Sequence, residues 1–179
     1  PHSLDLYVNN KNIDIKGRYL SGIAGGTTGL ASIRNISTGG NVTENIRIHD
    51  AYFYNYGDDE PLAVYNATGF PGDTIRNIVI SNCVIGGATR GFGWLNNTND
   101  DYSDFSGCEI SNTVIFIDNL IDGGSCYVDE NVGAKASNIA IIIKTSTHTG
   151  GVVSYGVWSR NHDGLRPSPE LSNCRASIL

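Results

Sequence analysis

Three consecutive carboxylic acids, Asp58, Asp59 and Glu60, follow a glycine and precede the apolar run LAVYN. Asp129 and Glu130 close a second run, CYVDE, and Asp100, Asp101 and Asp104 follow a third, GWLNN. Paired carboxyl groups are the working parts of glycoside hydrolysis: one protonates the leaving oxygen, and the other activates water or attacks the sugar carbon. Arg34, Tyr65, Trp94, Trp158 and Arg160 stand in the same kind of short run. Rings beside cations and carboxylates suit a sugar chain, because rings cover its C–H faces while polar groups take its hydroxyls. The candidate catalytic residues are therefore Asp58, Asp59, Glu60 and Glu130, and the candidate substrate-binding residues are Arg34, Tyr65, Trp94, Trp158 and Arg160. The same acids have a structural use as well, since Asp in a Gly-Asp-Asp turn bonds its own backbone.

Histidine offers a second chemistry. His49 adjoins Asp50 and is expected at the surface, while His148 and His162, the latter heading His-Asp-Gly, lie in polar stretches. A His beside a carboxylate can act as acid and base in phosphodiester cleavage, with Ca²⁺ as an optional ion. No spaced ligand set predicts a dedicated metal site, and no other cofactor is expected. Cys83, Cys108, Cys126 and Cys174 show no CxxC spacing, which argues against zinc. Buried thiols are the expectation, with a Cys83–Cys108 disulfide as the alternative.

What could position these groups is a repeat. The segments KNIDIKGRYL, ENIRIHDAYF, RNIVISNCVI, SGCEISNTVI, SNIAIIIKTS and SPELSNCRAS begin at Lys11, Glu44, Arg76, Ser106, Ser137 and Ser168. Anchored on Asn12, Asn45, Asn77, Gly107, Asn138 and Ser168, they recur about every 31 residues, the mark of a repeat architecture. Within each, apolar residues fall at alternate positions, the period of a strand with one buried face. A second register keeps the same step and ends at Asn35, Asn66, Asn97, Asn131 and Asn161. One such repeat cannot bury its apolar face alone, so repeats must stack, placing equivalent positions about 4.8 Å apart. Asn at one corner of every coil then forms a ladder, because Asn tolerates a left-handed backbone and its amide bonds along the stack.

This predicts an all-β right-handed parallel β-helix of about six coils, one domain over 1–179 with both ends uncapped, and a segment of a longer chain. Propeller blades repeat at about 40 residues or more, and a leucine-rich horseshoe needs a helix in each repeat. Inside, Ile13, Ile46, Ile78 and Ile139 should form one column and Ile15, Ile48, Ile80 and Ile110 another. If Ile33, Val64 and Leu95 also point inward, one outer column holds Arg34, Tyr65, Asn96, Glu130 and Arg160. Its neighbour then holds Ser32, Ala63, Trp94, Val128 and Trp158. Two coil steps separate Glu60 from Glu130, about 9.6 Å, near the roughly 6.5–9.5 Å carboxyl spacing of inverting glycosidases.

Composition narrows the partners. The 179-residue chain has a net charge of −6, without the clustered Lys and Arg that nucleic acid or an anionic membrane requires. No apolar run approaches the ~20 residues that span a bilayer, and no signal peptide is visible. Four Asn-x-Ser/Thr sequons, at Asn35, Asn41, Asn66 and Asn96, are no more than so much Asn, Ser and Thr produces by chance.

The cadence NIxIxNCxI, followed by a turn and GDDxxLAV, resembles the pectin-lyase-like superfamily of parallel β-helices. NIRIHDAYFYNYGDDEPLAVYN at 45–66 looks most like the β-helical body of tailed-phage tailspikes. Gly57–Asp59 is similar to the aspartate pair of polygalacturonases, but GGATRGFG at 86–93 stands where that family has Gly-His-Gly. The resemblance implies a homotrimer on a virion tail, or a secreted protein, that binds and cleaves a cell-surface polysaccharide or teichoic acid by carboxylate acid–base hydrolysis. The alternatives are a non-catalytic receptor-binding or structural shaft, and a polysaccharide lyase. Tyr52, Phe53, Tyr54 and Tyr56 crowd one strand, and the outward half of them is expected to face a neighbouring chain of the trimer.

Overall fold

The computed structural model describes residues 4–7, 9–23, 30–35, 40–66, 73–96, 105–121, 124–130, 132–147, 155–160 and 170–179. At Asn96, Glu130, Tyr155 and residues 158–160 the description is of the backbone alone. These residues form strands and connections, with no helix among them. The strands are β1 (Leu4–Tyr7), β2 (Lys11–Lys16), β3 (Tyr19–Gly22), β4 (Ala31–Asn35), β5 (Val42–His49), β6 (Tyr52–Asn55), β7 (Leu62–Asn66) and β8 (Thr74–Ser81). They continue as β9 (Val84–Gly87), β10 (Phe92–Asn96), β11 (Glu109–Ile121), β12 (Ser125–Glu130), β13 (Lys135–Thr147), β14 (Tyr155–Arg160), β15 (Glu170–Ser172) and β16 (Arg175–Ile178).

Every pairing is parallel, and strands one repeat apart are neighbours, so the chain winds as a β-solenoid. One sheet stacks β1-β4-β7-β10-β12-β14. The other follows β2-β5-β8 into the first half of β11 and β3-β6-β9 into its second half, and β13 continues both towards β15 and β16. The coil count differs slightly from the six expected: the described residues form a solenoid of about four turns.

Two left-handed corners set this winding. Asn12, Asn45, Asn77, Gly107 and Gly133 stack at the first, all with positive φ. Gly17, Asp50, Asn82, Asn112, Asn138 and Asn173 stack at the second, five residues further along each coil, with φ of 48–63°. Asn and Asp are among the few residues with a side chain that adopt this backbone readily. Their amides bond from coil to coil: Asn45 to Asn12 at 3.0 Å, Asn77 to Asn45 at 3.1 Å and Asn138 to Asn112 at 2.9 Å. The expected anchor at Asn138 is thus one corner too late. Gly133 holds the first corner in that coil, and with no Asn there the alignment jumps to the second. The inner columns shift with it: Cys108 and Ala134 follow Ile78, Ala136 follows Ile110, and Ile139 lies opposite Thr113.

The second-register ladder is internal. Asn35 and Asn66 are in register and fully buried. The Asn35 amide donates to the Thr74 carbonyl at 3.2 Å, and its oxygen accepts from the Thr43 hydroxyl at 2.8 Å. Asn35→Ala strands both partners and should destabilise the fold by roughly 1–3 kcal/mol; a thermal melt within error of the parent would refute the ladder's role.

The four cysteines are free thiols, so the Cys83–Cys108 disulfide does not form. Cys83 lies at the second corner's inner column and Cys108 in the column of Ile46 and Ile78. Burial pushes Cys83 up and Cys126 up to about 12, which keeps both protonated and inert.

Candidate functional site

Trp94 is not on the surface. It stacks on Val64 and Ile33 in the inward column and is 0% exposed, in edge contact with Phe92 at 5.1 Å. Asn96, not Asn97, takes the ladder position beside Asn66. That coil is one residue shorter than expected, and a one-residue slip turns every side chain of a strand over. Gly93 and Leu95 therefore occupy the outer positions expected for Trp94 and Asn96, and Trp94 is removed from the substrate-binding set. Asn97 lies outside the described residues.

Arg34 does point outward, beside a half-buried Tyr65. Its guanidinium is already committed: Nε donates to Asp5 at 2.9 Å, Nη2 donates to the other Asp5 oxygen, and the Tyr7 ring lies 5.2 Å below. Ser32 completes the cluster by donating to Asp5 at 2.8 Å.

The acidic turn is structural in its first part. Gly57 N–H donates to the Asn55 side-chain oxygen at 3.0 Å, and the Asn55 amide donates to the Asp59 carbonyl at 2.8 Å. Asp58 is exposed, Asp59 half-buried and Glu60 buried. Burial pushes the Glu60 carboxyl above its ordinary value, opposed by Arg90, whose Nη1 lies 3.3 Å away.

Glu130 does not share this neighbourhood. Leu62, Phe92 and Tyr127 are in register, so the level of Glu60 corresponds to Ser125. Glu130 lies five positions further along β12, about 16 Å along the strand, and two coils away, about 9.6 Å. The diagonal of roughly 19 Å exceeds the separation of either class of two-carboxylate glycosidase. The coil-step spacing expected from sequence counted coils but not position within a coil, and the Glu60–Glu130 pair is not assembled. Glu130 pairs with Arg160, and Val128 with Trp158, along β12 and β14. Asp100, Asp101, Asp104, His148 and His162 lie outside the described residues.

Asp129 has a role the sequence pattern did not indicate. It faces inward in register with Trp94, is 1% exposed, and accepts from the backbone N–H groups of Val132, Gly133 and Ala134 at 3.0–3.1 Å. Burial pushes its carboxyl up, against the downward pull of these three donors.

His49 is buried rather than exposed. Its Nδ1 lies 2.9 Å from Asp50 and its Nε2 2.9 Å from Asp14 in the preceding coil, with Lys16 3.8 Å from Asp50. The His49 hydrogen bond is the main cause that holds the Asp50 carboxyl below its ordinary value. With both ring nitrogens engaged, this cluster joins two coils and leaves no nitrogen free for acid–base work.

The outer surface falls into two contrasting halves at the second left-handed corner. Before it, charges alternate from coil to coil, as in Lys11–Glu44 at 3.2 Å, Glu44–Arg76 at 2.7 Å and Lys135–Glu170 at 3.4 Å. After it, β3, β6, β9 and the second halves of β11 and β13 present mostly tyrosines and small or apolar residues, with the Asp118–Lys144 ion pair among them. Tyr19 is 70% exposed and stacks on Tyr52 with ring centroids 4.8 Å apart. Tyr56 is 60% exposed and meets Tyr54 edge-on at 4.5 Å. Tyr54 is nearly buried, because it reaches along the axis over Gly86 to stack with Phe116 at 5.5 Å and donate its hydroxyl to Asp118. Burial, and then that hydrogen bond, push the Tyr54 hydroxyl well above its ordinary value, so it stays a donor. Phe53, between them, is fully buried, as alternation requires.

The fold and this surface together define a parallel β-solenoid with one tyrosine-rich outer face. No family model, curated protein or solved structure matches the chain. Among the described residues no group of three or more His, Cys, Asp or Glu could hold a metal ion, and no helix is long and apolar enough to cross a membrane.

Proposed function

We propose that this solenoid binds a cell-surface polysaccharide along its tyrosine face, as a non-catalytic recognition surface over the described residues. The observation that carries the reading is the exposure of Tyr19 and Tyr56 on a face whose neighbouring positions are mostly apolar. Contiguous apolar surface on a folded domain marks a binding site, and Tyr combines a ring for sugar C–H groups with a hydroxyl for sugar oxygens. The separation of Glu60 from Glu130 favours binding over hydrolysis by that pair. Such a function belongs on a virion tail or another extracellular surface.

Calorimetric titration with purified cell-surface glycans tests this. Tyr56→Ala should weaken binding by about 1–3 kcal/mol, the scale of one aromatic side chain removed from contact, with the melting temperature unchanged. Full affinity in both Tyr56→Ala and Tyr19→Ala would overturn the reading. A trimer by light scattering that dissociates on Tyr56→Ala would assign the face to assembly between copies instead.

A further inference from the structure

Resting on that reading, we infer that the face takes a neutral, hydroxyl-rich glycan rather than a polyanion, and that Asp118 is the acceptor for its hydroxyls. The charge on the face decides the first point. Residues 19, 52, 84, 114 and 140 form one outward column, and residues 21, 54, 86, 116 and 142 the next. Residues 23, 56, 88, 118 and 144 extend the pattern at the turn, through the backbone bonds Tyr56 to Gly22, Ala88 to Asn55 and Asn119 to Ala88. These columns hold one acid and one base, Asp118 and Lys144, which pair at 3.7 Å. A polyuronate or a polyphosphate needs several unpaired cations along its path, because its affinity comes from neutralising successive charges. From β3 to β13 this face has none to offer, and its first column continues past Ala140 to a single further cation, the exposed Arg175 on β16.

The position of Asp118 decides the second. Gly86 has no side chain, and a Cβ built there would collide with the rings of Phe116 and Tyr54. Tyr54 can therefore lie along the axis over Gly86 and fix one Asp118 oxygen with its hydroxyl. The Asp118 side chain remains 41% exposed. An ionised carboxylate offers about four lone-pair sites, and Tyr54 and Lys144 use two of them. Asp118 lies two coils from Tyr56 with the small Ala88 between them, an opening of about 9.6 Å. A pyranose ring standing there places a C–H face against Tyr56 and vicinal hydroxyls against Asp118.

The test titrates the full chain with neutral β-glucan and galactan oligosaccharides, with polygalacturonate and with a glycerol-phosphate polymer, at low and at high salt. A neutral oligosaccharide should bind with an affinity that salt does not change. Asp118→Asn keeps an oxygen for the Tyr54 hydroxyl but loses the charge, and should weaken neutral-glycan binding about 10-fold or more. Gly86→Ala, which displaces Tyr54 from Asp118, should weaken it in the same direction, and melts of both variants show that each is folded. Binding of either polyanion that salt weakens, or neutral-glycan binding unaffected by Asp118→Asn, would overturn the inference while leaving the tyrosine face as a glycan site. No binding to any of the four would remove the underlying reading as well.

Discussion

Replacing Trp94 by Ala should lower the stability of the fold by about 3–5 kcal/mol, the usual cost of deleting a large buried ring, and leave glycan affinity unchanged in the molecules that remain folded. The ring is 0% exposed, sits on Val64 within its column, and fills the coil together with Phe92 and Tyr127. Its neighbours in the stack are held at the interstrand spacing, so the coil cannot collapse into the space left behind. Denaturant unfolding of the two proteins, with glycan titration at a temperature where both are native, checks the two halves together. A surface Trp stacked on sugar would give the opposite result, with little change in stability and a loss of affinity.

That reversal shows where a sequence of this kind is legible. The fold could be read because the repeat recurs in two registers and because alternation within each run is a backbone property that stacking amplifies. The side-chain faces could not be read to the same accuracy, because coil length varies by a residue or more. Asn96 and Asn97 are equally plausible ladder residues by type, and only the pairing with Asn66 separates them. Asn138 is similar: two corners five residues apart both favour Asn, and Gly133 hides the true member of the first. The carboxylate pair failed for a geometric reason, since counting coils gives height along the axis but not position around it. The tyrosine face was partly legible, because Tyr52, Tyr54 and Tyr56 alternate around Phe53. Its extension to Phe116, Asp118 and Lys144 needs the register of β9, β11 and β13. Gly86 looks like a turn residue until Tyr54 is seen to occupy the space above it.

Asp129→Ala should destabilise the protein by roughly 3–5 kcal/mol, the scale of breaking a buried, charged hydrogen-bond network. Three successive backbone N–H groups, from Val132 to Ala134, end on this one carboxylate, and Val132 and Ala134 are themselves buried. Without it these donors at the turn into β13 lose their shared acceptor, and each stranded donor costs about 1–3 kcal/mol. Relief of the buried charge offsets part of that sum, because burial alone disfavours the ionised carboxyl. Asp129→Asn separates the two contributions. It retains one acceptor oxygen but turns an N–H₂ group towards backbone donors, so it should cost less than Ala and more than a conservative surface change. The order parent, Asn, Ala in unfolding free energy is the expected result. If Asp129→Ala matched the parent, the turn would be held by its glycine and by coil stacking, and the inward carboxylate would have no structural role.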